Sequence, residues 1–221
     1  MSRALKYDIP GEDWRRTSLD LADLGVKGLF ERGAEAPKRF VLEVGFGRGE
    51  FLLELACREP GTAFVGVEVS YKRVLKMARK VAVAGLENVR LLEGRGEVIL
   101  GELIADASLD EIWVNFSDPW PKERHASRRV IQSGFVAHVA RCLLPGGILH
   151  VATDDPTYAQ QIHAVLSAEP ALANEFPEQS WRSAVPGRIR TGYEEDWLRE
   201  GRSLFFFDYR CKGQVVEGGG S

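Results

Sequence analysis

The strongest constraint on this chain is the run Val41-Leu42-Glu43-Val44-Gly45-Phe46-Gly47-Arg48-Gly49. In it an apolar stretch breaks into three alternate glycines and passes directly into a helical pattern. Such a unit opens a parallel sheet that carries helices on both faces. The alternation then repeats. Strands are predicted at Phe40–Val44, Ala63–Val69, Val89–Leu92, Leu109–Phe116 and Ile148–Thr153, with a last one at Leu204–Arg210. Helices are predicted between them at Glu50–Arg58, Ser70–Ala84, Glu97–Ile104, Arg128–Cys142 and Pro156–Ala168, with a short one at Thr191–Glu200. Val74, Met77, Ala78 and Val81 recur at helical spacing, and Pro145-Gly146-Gly147 is read as the turn into the fifth strand. The pattern predicts a single α/β domain of the Rossmann-like, doubly wound, mostly parallel kind over residues 38–214. Residues 1–37 are read as a mixed polar lead-in, 169–190 as irregular and 215–221 as a disordered tail.

Composition narrows the class. With 44% apolar and 28% charged residues in 221, the chain has the make-up of a globular protein with one sizeable core. No apolar run is long enough to span a bilayer, and the first residues lack a signal-peptide core, so a cytoplasmic protein is expected. Cys57, Cys142 and Cys211 are odd in number and far apart, which argues against a disulfide framework. Neither they nor the four histidines have metal-ligand spacing, so no metal is expected. A net charge of −3 does not decide whether a polyanion binds, because local placement matters more than the sum. The densest basic stretch, residues 122–129, carries Lys122, Arg124, Arg128 and Arg129 against Glu123. It reads equally as a solvated helix start or a phosphate grip.

The glycine loop has the form Gly-x-Gly-x-Gly, with Glu50 where a dinucleotide fingerprint would place its last glycine. Glu43, two residues before Gly45, would repel a pyrophosphate but suits a ligand with a cationic sulfonium or ammonium group. Glu68 closes the second strand, where a carboxylate can accept both hydroxyls of a ribose. These features point to S-adenosyl-L-methionine rather than NAD. The simpler alternatives are a structural strand-end carboxylate for Glu43 and a helix-capping one for Glu68. The fourth strand delivers Ser117-Asp118-Pro119-Trp120-Pro121-Lys122 to the same edge. Two prolines stiffen it, and a fixed carboxylate beside a tryptophan suits a purine base. A turn that merely caps the strand is the alternative.

Taken in order, the segments 43–49, 65–69 and 117–125, then Arg128-Arg129, Thr153-Asp154 and Thr191-Gly-Tyr-Glu194, resemble the bacterial tRNA (guanine-N7-)-methyltransferases over residues 39–210. The resemblance implies a class I methyltransferase fold with an antiparallel last strand. It also implies methyl transfer from S-adenosyl-L-methionine to N7 of a tRNA guanine, that of variable-loop position 46. By motif it assigns Glu43, Gly45, Gly47, Glu68, Arg95 and Asp118 to the cofactor and Asp118 to the reaction centre. Lys122, Asp154, Thr191, Gly192, Tyr193 and Glu194 are assigned to the tRNA.

Three residues depart from the family's usual choice. Ser117 stands for proline, Gly192 for lysine, and Arg95 for an acidic or amide residue. Arginine only donates, so adenine recognition would pass to backbone or to Glu97. Locally, Asp154 also reads as an N-cap before Pro156, and Thr191 with Glu194 as a capping box. An exocyclic-amine methyltransferase and a non-catalytic RNA-binding module of the same fold are the competing functions, and the oligomeric expectation is a monomer or homodimer.

Overall fold

The computed structural model describes residues 8–31, 37–190 and 192–212. Eight strands form one sheet: β1 (Arg15–Arg16), β2 (Arg39–Val44), β3 (Thr62–Glu68), β4 (Val89–Glu93), β5 (Leu109–Asn115), β6 (Leu143–Thr153), β7 (Leu172–Asn174) and β8 (Phe205–Cys211). Their order is β1-β4-β3-β2-β5-β6-β8-β7, parallel except where β8 runs antiparallel between β6 and β7. The helices are α1 (Ser18–Gly28), α2 (Glu50–Arg58), α3 (Tyr71–Val83), α4 (Gly96–Val98), α5 (Ser133–Cys142), α6 (Pro156–Ser167) and α7 (Gly192–Arg199). Both layers are apolar where they meet the sheet. On one side Leu52, Val74, Met77 and Val81 pack on Val41, Phe64 and Leu91. On the other, Phe135, Val139 and Ile162 pack on Leu42, Ile112 and Val151. No described helix is long and apolar enough to cross a membrane.

Five elements differ from the sequence reading. Within residues 169–190, read as irregular, Leu172–Asn174 form β7 on the edge of the sheet beside β8. The lead-in contributes structure: β1 pairs with β4, and α1, kinked at Gly25, buries Leu21 and Val26, with Leu29 and Phe30 following. The helix expected over Glu97–Ile104 becomes α4 running on into a π-helical turn, Ile99–Leu103. Pro145–Gly147 lie within β6 as an irregularity rather than before it. Leu109 pairs with Leu143 and Glu111 with Ile148, so the extra residues bulge out with Gly146 at φ +83°. The helix expected from Arg128 starts only at Ser133, because a 3₁₀ turn (Glu123–Arg128) ends in an extended Arg129. The expected 215–221 tail lies outside the described residues.

Chain order leaves β2 for β3 and β4 on one side, then returns to β5 and β6 on the other. The order in which the strands are laid down therefore reverses between β2 and β5, which are themselves parallel. Crevices beyond the carboxyl ends of strands at such a point are where open α/β sheets hold ligands.

Candidate active site

At that reversal lies a cavity of about 620 Å³, within the range of small-molecule sites. Its floor is the glycine loop. Gly45, Gly47 and Gly49 all take positive φ, which places the loop where a side chain would be strained. The turn is closed by Gly49 N–H donating to the Phe46 carbonyl at 2.7 Å, and Gly45 N–H is tied to Val67 at 2.7 Å. At Gly49 a Cβ would meet Met77 Sδ at 2.3 Å, so the loop packs directly on α3.

Two carboxylates reach the cavity from the ends of β2 and β3. Glu68 is 3% exposed and accepts from Gly47 N–H and Ser70 N–H, each at 3.0 Å. The helix-start role expected as its alternative is thus present, and the same carboxylate braces the glycine loop. Glu43 is 2% exposed. Its Oε1 accepts from Asn115 at 3.1 Å, whereas its Oε2 is buried and has no partner. Burial pushes the Glu43 carboxyl up to about 7; Asn115 and Arg188 oppose that rise and Glu68 adds to it. A buried oxygen left unpaired at a ligand cavity is a group awaiting a donor. The cationic methionine end of S-adenosylmethionine would supply one, with the Glu68 carboxylate placed for a ribose, so these residues fit that cofactor. Arg95 and Glu97 lie on the cavity wall beyond β4, 3.3 Å apart.

The opposite wall comes from the end of β5. Phe116 (φ +51°) and Trp120 (φ +42°) are non-glycine residues in the left-handed region, and they bracket Ser117, Asp118 and Pro119. Each costs of order 1–3 kcal/mol and persists only if the surroundings hold it. Phe116 N–H is tied to the Ala152 carbonyl at 2.8 Å, while at Trp120 the holder is Arg129, 6% exposed. Its Nε donates to the Pro119 carbonyl at 2.7 Å, Nη2 reaches the Trp120 carbonyl at 3.4 Å, and Nη1 bonds Gln161. The expectation that Arg129 grips phosphate is thereby corrected: its guanidinium is spent on loop carbonyls and lies over the Tyr158 ring. Arg128 is exposed, with its guanidinium 5.0 Å from the centre of the Trp120 ring, and Lys122 and Arg124 are exposed beside it. Asp118, itself exposed, lies on the cavity wall with Trp120.

The remaining assigned residues divide. Tyr193 and Trp197 of α7 border the cavity and stack on each other at 5.6 Å, with Arg48 of the glycine loop 4.5 Å from the Tyr193 ring centre. Gly192 opens α7, while Thr191 lies outside the described residues, and with it the capping box expected with Glu194. Glu194 turns inward, 1% exposed, with Arg188 at 3.5 Å. Asp154 pairs with Arg202 at 3.0 Å, and the N-cap expected of it belongs to Asp155, whose carboxylate accepts from Tyr158 N–H at 2.7 Å. Lys122 and Asp154 stand outside the cavity's lining. Sequence reasoning missed Asn115 and Arg188. Asn115 was discoverable from its place at the end of β5, next to the recognised motif. Arg188 sits in a stretch without periodicity and carries no such signal.

Comparison with known proteins agrees with this geometry. The model of a family described as a putative methyltransferase matches residues 37–207. A tRNA (guanine-N(7)-)-methyltransferase of Burkholderia pseudomallei is 40% identical over 181 residues, 81% of this chain and 66% of that protein, so the chain spans about two thirds of that relative's length. One of Nitrosococcus oceani is 36% identical over 204 residues, 91% of this chain and 82% of that protein. Among solved structures, the 16S rRNA methyltransferase KamB superposes with a TM-score of 0.60 at 17% identity, covering 80% of this chain and 89% of its own, a likeness of fold. With its fold, its carboxylate-lined glycine cavity and these relatives, the chain belongs to the tRNA (guanine-N(7)-)-methyltransferase family.

Proposed function

We propose that this chain transfers the methyl group of S-adenosylmethionine to N7 of a guanine in tRNA, the variable-loop guanosine at position 46. The observation that carries the reading is Glu43 Oε2, buried and unpartnered at a cavity floored by a glycine loop. When bound, S-adenosylmethionine supplies a methyl group made electrophilic by its cationic sulfur. Glu43 would hold the positively charged methionine end and Glu68 the ribose hydroxyls. The backbone at Gly94–Gly96, with Glu97 rather than the Arg95 guanidinium, would take the adenine, because only acceptors suit its amino group.

Guanine N7 is an unprotonated in-plane acceptor, so no side chain has to remove a proton before it reacts. The protein's task is then alignment and charge. The rigid loop holds Asp118 at the wall where the base must enter, and orientation of this kind accounts for much of an enzyme's rate. The product ring gains positive charge, which the Asp118 carboxylate offsets. Trp120 and Tyr193, with Arg128 and Arg48 against their rings, give the mouth an aromatic and cationic lining suited to a base taken out of its stack. Lys122, Arg124 and Arg128 would meet phosphates. Asp154, Thr191, Gly192 and Glu194 retain the substrate role given by resemblance. For Glu194 that role is indirect, since its carboxylate faces Arg188.

The test is incubation with unmodified tRNA and methyl-labelled cofactor, followed by nucleoside analysis. Label in 7-methylguanosine is expected; label on an exocyclic amine, or none, refutes the proposal. Asp118→Ala should lower kcat by about 10²–10³ while the fold and most of the tRNA affinity survive.

A further inference from the structure

One buried cation links the cofactor side of the cavity to α7. The Arg188 side chain is 7% exposed, and its guanidinium lies 5.3, 5.2 and 5.0 Å from the ring centres of Phe51, Trp113 and Phe206. Its Nη2 donates to Asn115 Oδ1 at 2.6 Å, and Asn115 Nδ2 in turn donates to Glu43 Oε1 at 3.1 Å. On its other side Nε lies 3.5 Å from Glu194 Oε1 of α7. The directions in this chain are forced. A guanidinium has no acceptor, so it must take the Asn115 carbonyl, and the Asn115 amide is left to face Glu43. An amide N–H can serve only an acceptor oxygen, which favours ionised Glu43 and leaves Oε2 for a ligand. Without a cation at position 188, Asn115 is free to turn its carbonyl toward Glu43. A protonated Glu43 would then be the better partner, and a protonated carboxyl no longer attracts a cation.

We propose that Arg188 is a positioning residue for the methyl donor: by occupying the Asn115 carbonyl it keeps Glu43 an acceptor for the donor's cationic end, and through Glu194 it ties that arrangement to α7. This rests on the reading of the cavity as an S-adenosylmethionine site. The charged groups acting on Glu43 are Arg188, which favours ionisation, and Glu68, which opposes it. Those acting on Arg188 are Glu194, Asp208 and Glu43.

The test is calorimetric titration of S-adenosylmethionine from pH 5.5 to 9 into four proteins: the native chain, Arg188→Met, Arg188→Lys and the double variant Arg188→Met/Glu194→Gln. The cofactor's own titration is common to all four. The double variant removes both charges together and guards against a folding defect in the single one. In the native chain affinity should fall as Glu43 takes up its proton on the acid side. Arg188→Met and the double variant should move that acid limb up by about one pH unit and weaken binding at pH 7 roughly fivefold. Arg188→Lys, which keeps a donor-only cation, should return the limb most of the way. An equal loss at every pH with the limb unmoved overturns the proposal, as does an Arg188→Lys variant no better than Arg188→Met. A native chain that binds no cofactor at any pH overturns the site reading and this inference together. Native binding with unmoved variants overturns this inference alone.

Discussion

Glu43 gives up stability for the sake of a ligand, and pH reveals it. Its ordinary carboxyl value is 4.5, and in the folded chain burial raises it to about 7. Between those values the folded state holds a proton that the unfolded state has lost, so stability falls as pH rises through the window. At about 1.4 kcal/mol per unit the penalty above pH 7 is of the order of 3 kcal/mol. Glu43→Gln should therefore be more stable than the native chain at pH 8 and close to it at pH 5, a comparison that thermal denaturation across pH makes directly. Equal curves for the two proteins would remove the penalty assigned to Glu43. Two adjacent arginines separate in a similar way. Arg129→Met should destabilise by about 1–3 kcal/mol, because the Pro119 and Trp120 carbonyls lose their donor, and should depress turnover through the loosened Asp118 loop. Arg128→Glu should leave the melting temperature nearly unchanged, yet weaken tRNA binding and flatten its salt dependence. Melting curves and filter binding at several salt concentrations would tell them apart; matching behaviour of the two variants would contradict the assignment.

Among the elements, the β2–α2 turn is the one whose conformation leaves least latitude. Gly49 combines φ +72° with Met77 at the place a Cβ would occupy. Gly49→Ala should lose about 2–4 kcal/mol, from left-handed backbone strain and a displaced core methionine, with a fall in cofactor affinity measurable by titration. Retained affinity would show that the loop can yield. This turn was legible in the sequence because glycines at alternate positions after an apolar strand have few other uses. The ends of α2 were legible for the same reason: Glu50–Arg58 is a clean amphipathic stretch behind that turn. Arg129 and Arg188 were not. In a sequence a guanidinium bound to loop carbonyls looks the same as one in water, and only the fold shows that Pro119 lies within its reach. Asp154 and Asp155 present the same difficulty one residue apart, since either can cap a helix that opens with Pro156.

At the scale of the molecule, residues 8–31, ahead of β2, belong to the fold. Arg90 of β4 is 1% exposed; its Nε donates to the Leu29 carbonyl at 2.8 Å, and its guanidinium lies 4.1 Å from the Trp14 ring centre and 4.5 Å from that of Phe30. A chain starting at residue 38 would strip these partners from a buried cation, remove Leu21, Val26 and Phe30 from the core, and uncover Phe40, on which Phe30 packs. Loss of at least 3–5 kcal/mol is expected, seen as a lower denaturation midpoint or as insoluble product. A truncated chain as stable as the full one would show that this segment is dispensable. The position of β8 has a consequence for biosynthesis. The last of the described strands threads between two that precede it, and the segment bearing Arg188 and Glu194 is made just ahead of it. While the chain is still being synthesised, Glu43 and Asn115 exist well before the cation that fixes the Asn115 amide. Affinity for the methyl donor should therefore strengthen only once the segment bearing Arg188 has emerged and docked beneath α7.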